Sequence, residues 1–395
     1  MYTNIEFLDA EPIENVITCM HHKMDKVIFF GYKEEIENYQ TRTERFLRQR
    51  CGVQEVKFCA IEKMDLNAVI TGIQKEVDTE KALGNKVYFD ITGGESLFLV
   101  AFGMLSDKLE KPMHMYDVEK DELIQLGQRY EDNIQDVEGN HVTLDLSTYI
   151  EMSGAKIDDT WFSHVDVNDT ALMERVDALW EMVQNFKQDW NVFCGILRDK
   201  LSVEKSLDAS CIIDQSKTRR LDIFHRFMQG LKQIGAVSYY SSQVTKRSSK
   251  GWVLESEVSV TYASEAWKEC ITKAGTALEL YVYKKAKDAG KEALQSVHID
   301  WDGRIASGTV GEEKDVLNEI DVLVLEGNIP TFISCKCGNM SKGKALEPMY
   351  ELETVASRFG GKYAQKVLAT LHPVSGVYAL RAEEMGIQLD CYGEE

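Results

Sequence analysis

Regular alternation of strand-like and helix-like segments over the first 150 residues is the feature that most restricts the fold of this 395-residue chain. Apolar runs typical of strands lie at Asn4–Asp9, Lys26–Tyr32, Val53–Ile61, Lys86–Thr92, Met113–Val118 and Leu123–Leu126. Helical patterns separate the first five of these runs, at Glu14–Met24, Tyr39–Arg50, Asn67–Leu83 and Glu95–Leu109. Such alternation favours a parallel sheet covered by helices on both faces, and right-handed crossovers then predict a Rossmann-like α/β sandwich.

Two loops are expected to meet at the ligand crevice of this sheet. With the common strand order 3-2-1-4-5, the crevice lies at the carboxyl ends of the first and fourth strands. The loops there consist of Asp9, Ala10, Glu11 and Pro12, and of Thr92, Gly93, Gly94, Glu95 and Ser96. The glycines, the free N–H groups of the following helix and the hydroxyls of Thr92 and Ser96 suit a phosphate anion. The alternative is an ordinary strand-to-helix turn, and the absence of a G-x-G-x-x-G motif argues against NAD.

The last 140 residues show a different chemistry, based on two carboxylates and a lysine. Glu279 lies in a helical segment, Ala274–Tyr283, and Asp321 and Lys336 lie in two strands joined by a turn, Asn318–Leu325 and Thr331–Lys336. Alternation along the second strand puts Ser334 and Lys336 on one face. Asp321 is flanked by residues apolar enough to bury it, where a charge is costly unless it is paired or bound to a metal.

This layout of acids and lysine is typical of a metal-dependent phosphodiesterase. The carboxylates would hold a divalent cation, and Lys336 would position a water molecule or neutralise the developing phosphorane. The alternative is structural: Asp321 would begin a hairpin, and Lys336 would end a strand beside solvent. Asp300 and Asp302 form a rival carboxylate pair, but the Asp302-Gly303 sequence favours a turn.

The middle of the chain, residues 151–270, is less informative. Leu172–Phe186 and Leu221–Gly235 read as amphipathic helices, and Ala236–Tyr262 as a hairpin around a basic turn. Helices followed by such a hairpin suggest a winged-helix-like connector. The basic turn, Lys246–Gly251, could touch a nucleic-acid backbone or be a solvated loop.

The net charge of −20 disfavours a general nucleic-acid coat, because a polyanion is repelled by it. Net charge does not exclude a local groove whose own metal and cations supply positive charge. Five cations lie near the proposed site elements in sequence: Lys342, Lys344, Arg358, Lys362 and Lys366. We therefore expect weak binding of nucleic acid in the resting state, with engagement controlled by ligand and metal.

Cysteine usage and the N-terminal sequence bear on the cellular compartment. Nine cysteines without a framework spacing are typical of reduced thiols. The first residues lack the pattern of a signal peptide, and no apolar run has the length of a membrane span. We therefore expect a cytoplasmic protein without a membrane segment.

Taken together, these motifs resemble a known family over nearly the whole chain. D-I-T-G-G-E-S (90–96) resembles the CRISPR-associated Rossmann-fold (CARF) sensor domain, which binds cyclic oligoadenylate. Four segments resemble the PD-(D/E)xK nuclease half of the CARF-nuclease family: K-A-G-T-A-L-E (273–279), N-E-I-D-V-L-V-L (318–325), F-I-S-C-K (332–336) and Y-E-L-E-T-V-A-S-R-F-G-G (350–361). These proteins are ancillary effectors of type III CRISPR antiviral defence.

The resemblance implies a three-part α/β architecture. A CARF domain would occupy residues 1–150, a winged-helix-like connector 151–270, and a restriction-endonuclease-like α/β nuclease domain 271–395. It also implies a homodimer whose sensor domains bind a cyclic adenylate, most often the tetra-adenylate, through the loops Asp9–Pro12 and Thr92–Ser96. Ligand binding would then reposition nuclease domains that cut DNA, RNA or both with Mn²⁺ or Mg²⁺.

By the same resemblance, the catalytic set would comprise Glu279, Asp321 and Lys336. The family's (D/E)xK acid is replaced here by Ser334, so that the motif reads S-C-K. Either the carbonyl of Cys335 together with Asp321 suffices for the metal, or another acid takes over. Glu351 on the following helix is the first candidate for that acid, and Glu353 is the second.

Two other functions stay open at this point. The chain could be a non-catalytic regulator that senses a cyclic nucleotide and binds DNA through the connector, a reading that Ser334 and the basic turn favour. Alternatively, the sensor domain itself could degrade the cyclic adenylate by attack of a ribose 2′-hydroxyl.

Overall fold

The computed structural model describes residues 1–61, 65–126, 133–158, 163–214, 221–251, 253–301, 317–340 and 343–394. The predicted turn residue Asp302 and the cation Lys342 lie outside these ranges. Within them, no helix combines the length and apolar character needed to cross a membrane.

The N-terminal part is a six-stranded sheet with helices on both faces, which confirms the predicted Rossmann-like sandwich. Its strands are β1 (Tyr2–Phe7), β2 (Lys26–Gly31), β3 (Glu55–Ala60), β4 (Lys86–Asp90), β5 (Met113–Asp117) and β6 (Glu122–Leu126). Its helices are α1 (Ile17–His21), α2 (Lys33–Gln49), α3 (Leu66–Ala82) and α4 (Ser96–Leu109). The strand order is β3-β2-β1-β4-β5-β6, in which β5 and β6 form the one antiparallel pair. The apolar run Val27–Phe30 is buried throughout, as expected of a central strand covered on both sides.

The first helix is shorter than the sequence pattern predicts. Glu14–Met24 was expected to be helical, but α1 spans only Ile17–His21. The segment before it forms successive tight turns, in which the N–H of Glu14 donates to the carbonyl of Glu11 and that of Val16 to Ile13. This turn-rich segment extends the loop at Asp9–Pro12 and brings Glu14 into it.

The middle part combines helices with a three-stranded antiparallel sheet. Its elements are α5 (Leu146–Met152), β7 (Lys156–Ile157), α6 (Thr170–Met173), α7 (Val176–Asn185), α8 (Trp190–Lys200), β8 (Asp208–Asp214), α9 (Leu221–Gln233), β9 (Val237–Arg247) and β10 (Val253–Tyr262). The sheet order is β8-β10-β9, and β9 and β10 form the predicted hairpin. The single helix expected at Leu172–Phe186 is two helices, because the backbone leaves the helical region at Arg175 (φ −105°, ψ 0°). The Arg175 guanidinium instead reaches the carbonyl of Ile234.

The C-terminal part is a second six-stranded sheet with helices on opposite faces. Its elements are α10 (Glu265–Thr272), α11 (Thr276–Asp288), β11 (Glu292–Asp300), β12 (Leu317–Glu326), β13 (Ile329–Lys336), α12 (Leu346–Gly360), β14 (Gln365–Thr370), α13 (Val377–Glu384) and β15 (Ile387–Cys391). The order is β15-β14-β13-β12-β11-β7, so a strand from the range expected as connector completes this sheet. Apolar residues of α11 and of α12 pack into two different hydrophobic clusters, one on each face.

The two sheets are joined by a shared hydrophobic core. One cluster contains buried residues of the first sheet, such as Phe29, together with residues of the second, such as Phe332. Hydrogen bonds add to this core: the Tyr149 hydroxyl donates to the carbonyl of Gly360, and the Ser153 hydroxyl donates to the carbonyl of Phe359. The end of α12 is therefore anchored directly to α5 and to the residue that follows it.

Candidate active site and ligand-binding site

The carboxylate of Asp321 is the centre of the candidate active site. Its Oδ2 accepts hydrogen bonds from the Ser334 hydroxyl (3.2 Å), the Cys335 N–H (2.6 Å) and the Lys336 ammonium (3.2 Å). Ser334 and Lys336 therefore share a face of β13, as predicted from strand alternation. Asp321 lies on β12, the antiparallel neighbour, and the two-residue turn at Gly327–Asn328 brings both strands into register.

Glu279 faces the same centre from the first turn of α11. Burial, and then the nearby carboxylates of Asp321 and Glu319, raise its pKa to about 8 against the opposing effect of Lys336. The structure thus brings together Glu279, Asp321 and Lys336, although they are up to 57 positions apart. A Cβ at residue 275, just before this helix, would lie 2.8 Å from Oε1 of Glu279, so a larger residue there would displace this carboxylate.

Lys336 is held in its charged form by its partner. Burial lowers the pKa of this ammonium, but the Asp321 carboxylate outweighs burial and leaves the pKa raised. The lysine is therefore a stable positive charge inside the site.

A cavity of about 240 Å³ opens beside these residues. Its polar lining is Glu319, Asp321, Ser334, Lys336 and Glu351, and its apolar lining is Ile320, Ile333, Leu352 and Val355. Glu351 on α12 therefore faces the site. Glu353 instead forms an ion pair with Lys366 and is not part of the lining.

Glu319 is the site residue that the sequence reasoning missed. It lies two positions before Asp321 on β12, and its Oε1 accepts a hydrogen bond from the Ser296 hydroxyl (2.9 Å). Ser296 has a left-handed backbone, with φ +52°. It lies at an irregularity in the register of β11 and β12, where Gln295 pairs with Val322 and Val297 with Ile320, so that Ser296 and Asp321 are skipped. Such strain in a non-glycine residue is concentrated at functional sites. The spacing of two positions between Glu319 and Asp321 in a predicted strand was the sequence signal that could have identified Glu319 as a site residue.

The other predicted charges are used elsewhere. Arg358 donates to the carbonyls of Ser153 and Trp301, and Lys366 bonds to Glu353 and the carbonyl of Met385. Asp300 is buried on β11 and does not line the cavity.

The donor set fits one divalent cation with incomplete protein ligation. Within the described ranges, no three His, Cys, Asp or Glu side chains are grouped as metal ligands. Mg²⁺ in phosphoryl-transfer sites is commonly held by one or two carboxylates, with water and substrate phosphate completing its shell. Glu279 and Asp321 supply two such carboxylates. Burial first, and then the charges of Asp321 and Glu319, raise the pKa of Glu279, and a bound cation would oppose both effects by favouring the ionised carboxylate.

The two loops predicted for ligand binding lie in direct contact. The N–H of Gly94 donates to Oδ2 of Asp9 (2.9 Å), and a Cβ on Gly93 would lie 2.7 Å from Oε2 of Glu14. Gly94 has φ +124°, which only glycine adopts readily. Both glycines are therefore required for the loops to pack, whether or not a ligand is bound.

In the second loop, two side chains form hydrogen bonds within the protein and one is exposed to solvent. The Thr92 hydroxyl donates to Asp90 (2.6 Å) and accepts from the N–H of Tyr116 (2.9 Å). In this structure the hydroxyl orders the loop, and its expected role as a donor to an anion stays a prediction. Glu95 accepts a hydrogen bond from Tyr32 (2.7 Å), while Ser96 is exposed at the start of α4.

The first loop faces both the ligand loop and the C-terminal half. Ala10 is exposed and Pro12 is partly buried. Glu11 was expected to contact ligand, but its Oε1 accepts the N–H of Lys362 (3.0 Å). This predicted ligand residue therefore binds the segment that follows α12.

Comparison with known proteins gives the following matches. Residues 269–394 match the family model of the Card1-like endonuclease domain. The fold is similar to that of protein VC1899 from Vibrio cholerae, with a TM-score of 0.71 and 19% identity over 99% of this chain and 94% of that one. It is also similar to Can2 from Sulfobacillus thermosulfidooxidans, solved in complex with cyclic tetra-adenylate, with a TM-score of 0.66 and 15% identity over 100% and 96% of the two chains. No curated protein sequence matches. These findings confirm the predicted nuclease domain in the C-terminal third as Card1-like, and they show that the whole chain has a fold similar to those of VC1899 and Can2.

Proposed function

We propose that this protein is a metal-dependent endonuclease of type III CRISPR defence, activated by cyclic tetra-adenylate and cutting DNA, RNA or both. The observation that carries the proposal is the grouping of Glu279, Asp321 and Lys336 inside the Card1-like endonuclease domain, where Asp321 and Lys336 line a cavity and Glu279 is close enough for their charges to shift its pKa. The nature of the ligand is supported by the whole-chain similarity to Can2 bound to cyclic tetra-adenylate. We further propose a cytoplasmic homodimer, as the family resemblance implies.

In the proposed mechanism, the chain's own groups prepare the site for a phosphodiester. Glu279, Asp321 and the carbonyl of Cys335 would hold Mn²⁺ or Mg²⁺, which when bound lowers the pKa of a water molecule and stabilises charge on the phosphate. Lys336 stays protonated beside Asp321 and neutralises charge on the phosphate oxygens. Ser334 and the Cys335 N–H fix the orientation of Asp321.

In the sensor half, Gly93, Gly94 and the exposed Ser96 at the start of α4 would receive a phosphate of the ring. The N-terminal end of a helix carries free N–H groups and a partial positive charge, which favour an anion. Asp9, Ala10 and Pro12 would border the ligand from the opposite loop, and Thr92 and Glu95 would hold the loop in shape.

A cleavage matrix tests the proposed function. Single-stranded DNA, single-stranded RNA and supercoiled plasmid are each incubated with Mn²⁺, Mg²⁺ or EDTA, with and without cyclic tetra-adenylate. We expect cleavage that requires both ligand and metal. Ligand-dependent DNA binding without metal-dependent cleavage would instead favour the non-catalytic regulator, and loss of intact ring during incubation would indicate ligand degradation by the sensor domain.

The carboxylates at the cavity can be ranked by isosteric substitution. We expect Glu351→Gln and Glu319→Gln each to weaken Mn²⁺ binding and to lower cleavage at least about 10-fold, because each removes a negative charge facing the cavity. Glu353→Gln is the matched control on the same helix, and we expect it to change Mn²⁺ affinity less than about twofold. Mn²⁺ titration followed by electron paramagnetic resonance measures binding independently of cleavage. Equal Mn²⁺ affinity in the three variants would remove Glu319 and Glu351 from the metal site.

A further inference from the structure

Two acidic residues of the sensor loop bind the turn that follows α12. Oε1 of Glu11 accepts the N–H of Lys362 (3.0 Å). Oε1 of Glu14 accepts both the Lys362 ammonium (2.7 Å) and the Tyr363 hydroxyl (2.5 Å). We call this group of four residues the latch. It is a polar contact across about 350 positions of sequence, between the proposed ligand site and the nuclease half.

The environment of the latch disfavours the ionised forms of its two carboxylates. The Glu14 side chain is 1% exposed, and burial raises the pKa values of both Glu11 and Glu14, with the Asp9 carboxylate adding to the effect and Lys362 opposing it. Oε2 of each glutamate is buried without a hydrogen-bond partner among the described residues. One buried carboxylate and one partly buried carboxylate therefore depend largely on the charge of Lys362, a situation in which small changes in nearby charge have large effects.

On the sensor side, the latch is continuous with the proposed ligand loop. Gly93 packs against Glu14, with 2.7 Å between the position of a Cβ and Oε2. Asp9 accepts the Gly94 N–H through Oδ2 and the Glu11 N–H through Oδ1. A phosphate at Gly93 and Gly94 would thus add negative charge next to Asp9, Glu11 and Glu14.

On the nuclease side, the latch is continuous with the helix that lines the cavity. Gly361 directly follows α12, which carries Glu351. A Cβ at Gly361 would lie 1.9 Å from Oε2 of Glu11, so the approach requires glycine, and the φ of +64° requires it as well. A movement of Glu11 and Glu14 therefore acts on the C-terminal end of α12.

We propose that the latch holds α12 in a resting position and that the anionic ligand opens it. Added negative charge at Gly93 and Gly94 destabilises the ionised pair Glu11 and Glu14, which release Lys362 and Tyr363. The end of α12 keeps its contacts with Tyr149 and Ser153 but loses those with Glu11 and Glu14, and the resulting shift of the helix adjusts the position of Glu351 at the cavity. This inference rests on the proposed function and adds its regulation. The latch favours the resting position of α12, and the ligand favours the position in which the latch is open.

The test removes the latch from the nuclease side. In Lys362→Met and Tyr363→Phe, we expect ligand-free cleavage to rise at least about fivefold and cyclic tetra-adenylate to bind more tightly by a similar factor, since coupling between sites is reciprocal. Lys287→Met, at the exposed end of α11, is the matched control and should change neither quantity. Calorimetry measures affinity, and gel-based kinetics measure cleavage.

The outcomes separate the latch from the function on which it rests. Wild-type protein that binds the ring without stimulation overturns the proposed function and the latch with it. Wild type that is stimulated, together with latch variants of unchanged affinity and unchanged ligand-free rate, overturns the latch alone. If the latch variants lose ligand-free and ligand-bound activity equally, the contact has only a structural role, and the latch proposal is overturned as well. If Lys362→Met does not fold, Glu14→Gln keeps the side-chain shape and carries the same expectation.

Discussion

Replacement of Lys336 by methionine is expected to lower ligand-stimulated cleavage at least about 100-fold, the usual effect of removing one preorganised donor at a charged transition state. The ammonium lies 3.2 Å from Oδ2 of Asp321 and lines the cavity. Its raised pKa keeps it charged at neutral pH, and methionine retains the apolar stem while removing that charge. Single-turnover cleavage with saturating Mn²⁺ and cyclic tetra-adenylate measures the effect.

Two controls decide whether the loss is chemical. Calorimetric affinity for the ring should stay at the wild-type value, since Lys336 lies in the other half of the chain. Lys366→Met removes a lysine of the same sheet that bonds to Glu353 and the carbonyl of Met385, so it should lower the unfolding midpoint while keeping the single-turnover rate. A Lys336→Met protein that retains a tenth or more of the wild-type rate would remove Lys336 from the catalytic set.

The alternation of strands and helices in the first sheet could be predicted because its physical causes are local. Val27–Phe30 is an apolar run without alternation, which is typical of a strand covered on both faces, and each such run is followed by a helical pattern. The two failures have a different cause. Glu14–Met24 and Leu172–Phe186 both carry helical periodicity, but local turns at Glu14 and Arg175 interrupt the backbone. Periodicity records which face is buried and is insensitive to such interruptions.

The candidate active site was predictable to the extent that it depends on strand alternation and a short turn. A hairpin with a two-residue turn places Asp321 beside Ser334 and Lys336, and the residue types then indicate the chemistry. Glu319 escaped prediction because a charged residue at a strand end is ordinary on a solvated edge. Only the tertiary position of α12 turns that edge into a cavity wall.

Glu11 shows most clearly what sequence alone could not supply. An acidic loop residue beside two glycines was assigned to the ligand, yet its carboxylate binds the backbone of Lys362, 351 positions away. No local pattern records a contact of that range. The shared core of the two sheets determines it, and the hydrogen bonds of Tyr149 and Ser153 to the end of α12 hold the following turn in place.

Asp90 is the residue whose replacement is expected to cost the most stability. It is 1% exposed, and each of its oxygens is saturated with donors. Oδ1 accepts the N–H and the hydroxyl of Thr92, and Oδ2 accepts Thr18 (2.6 Å) and Asn4 (3.2 Å) and pairs with His114 (3.3 Å). In Asp90→Asn one oxygen becomes an NH₂ group that faces donors. We therefore expect a loss of about 3–5 kcal/mol in the free energy of unfolding, measured in urea at pH 7.

The same substitution should also weaken ligand binding, because Thr92 begins the glycine loop. We expect the affinity for cyclic tetra-adenylate to fall at least about 10-fold, since two hydrogen bonds that order the loop are disturbed. Asp117→Asn, on a neighbouring strand, is the matched control: Asp117 pairs with Lys120 at the surface, where ion pairs contribute little. Wild-type stability in Asp90→Asn would show that the network does not stabilise the sensor half.

The pH dependence of this loss has a definite sign. Burial raises the pKa of Asp90, but His114 and the hydroxyls of Thr18 and Thr92 outweigh burial and lower it to about 2, below the ordinary value of 3.8. A carboxyl with a lowered folded-state pKa contributes stability above its unfolded value and loses it as the pH falls through the folded one. The difference between wild type and Asp90→Asn should therefore narrow only below about pH 4.

Glu6 gives the opposite dependence and an internal check. Burial, and then the Asp90 charge, raise its pKa well above 4.5, so its ionisation removes stability as the pH rises through the folded-state pKa. Asp90→Asn deletes one of these two causes. Stability of the variant should consequently decline less steeply between mildly acidic and neutral pH than that of the wild type, even though its absolute value is lower. Parallel pH profiles would mean that Asp90 is not ionised in the folded protein, and the buried pair with His114 would have to be neutral.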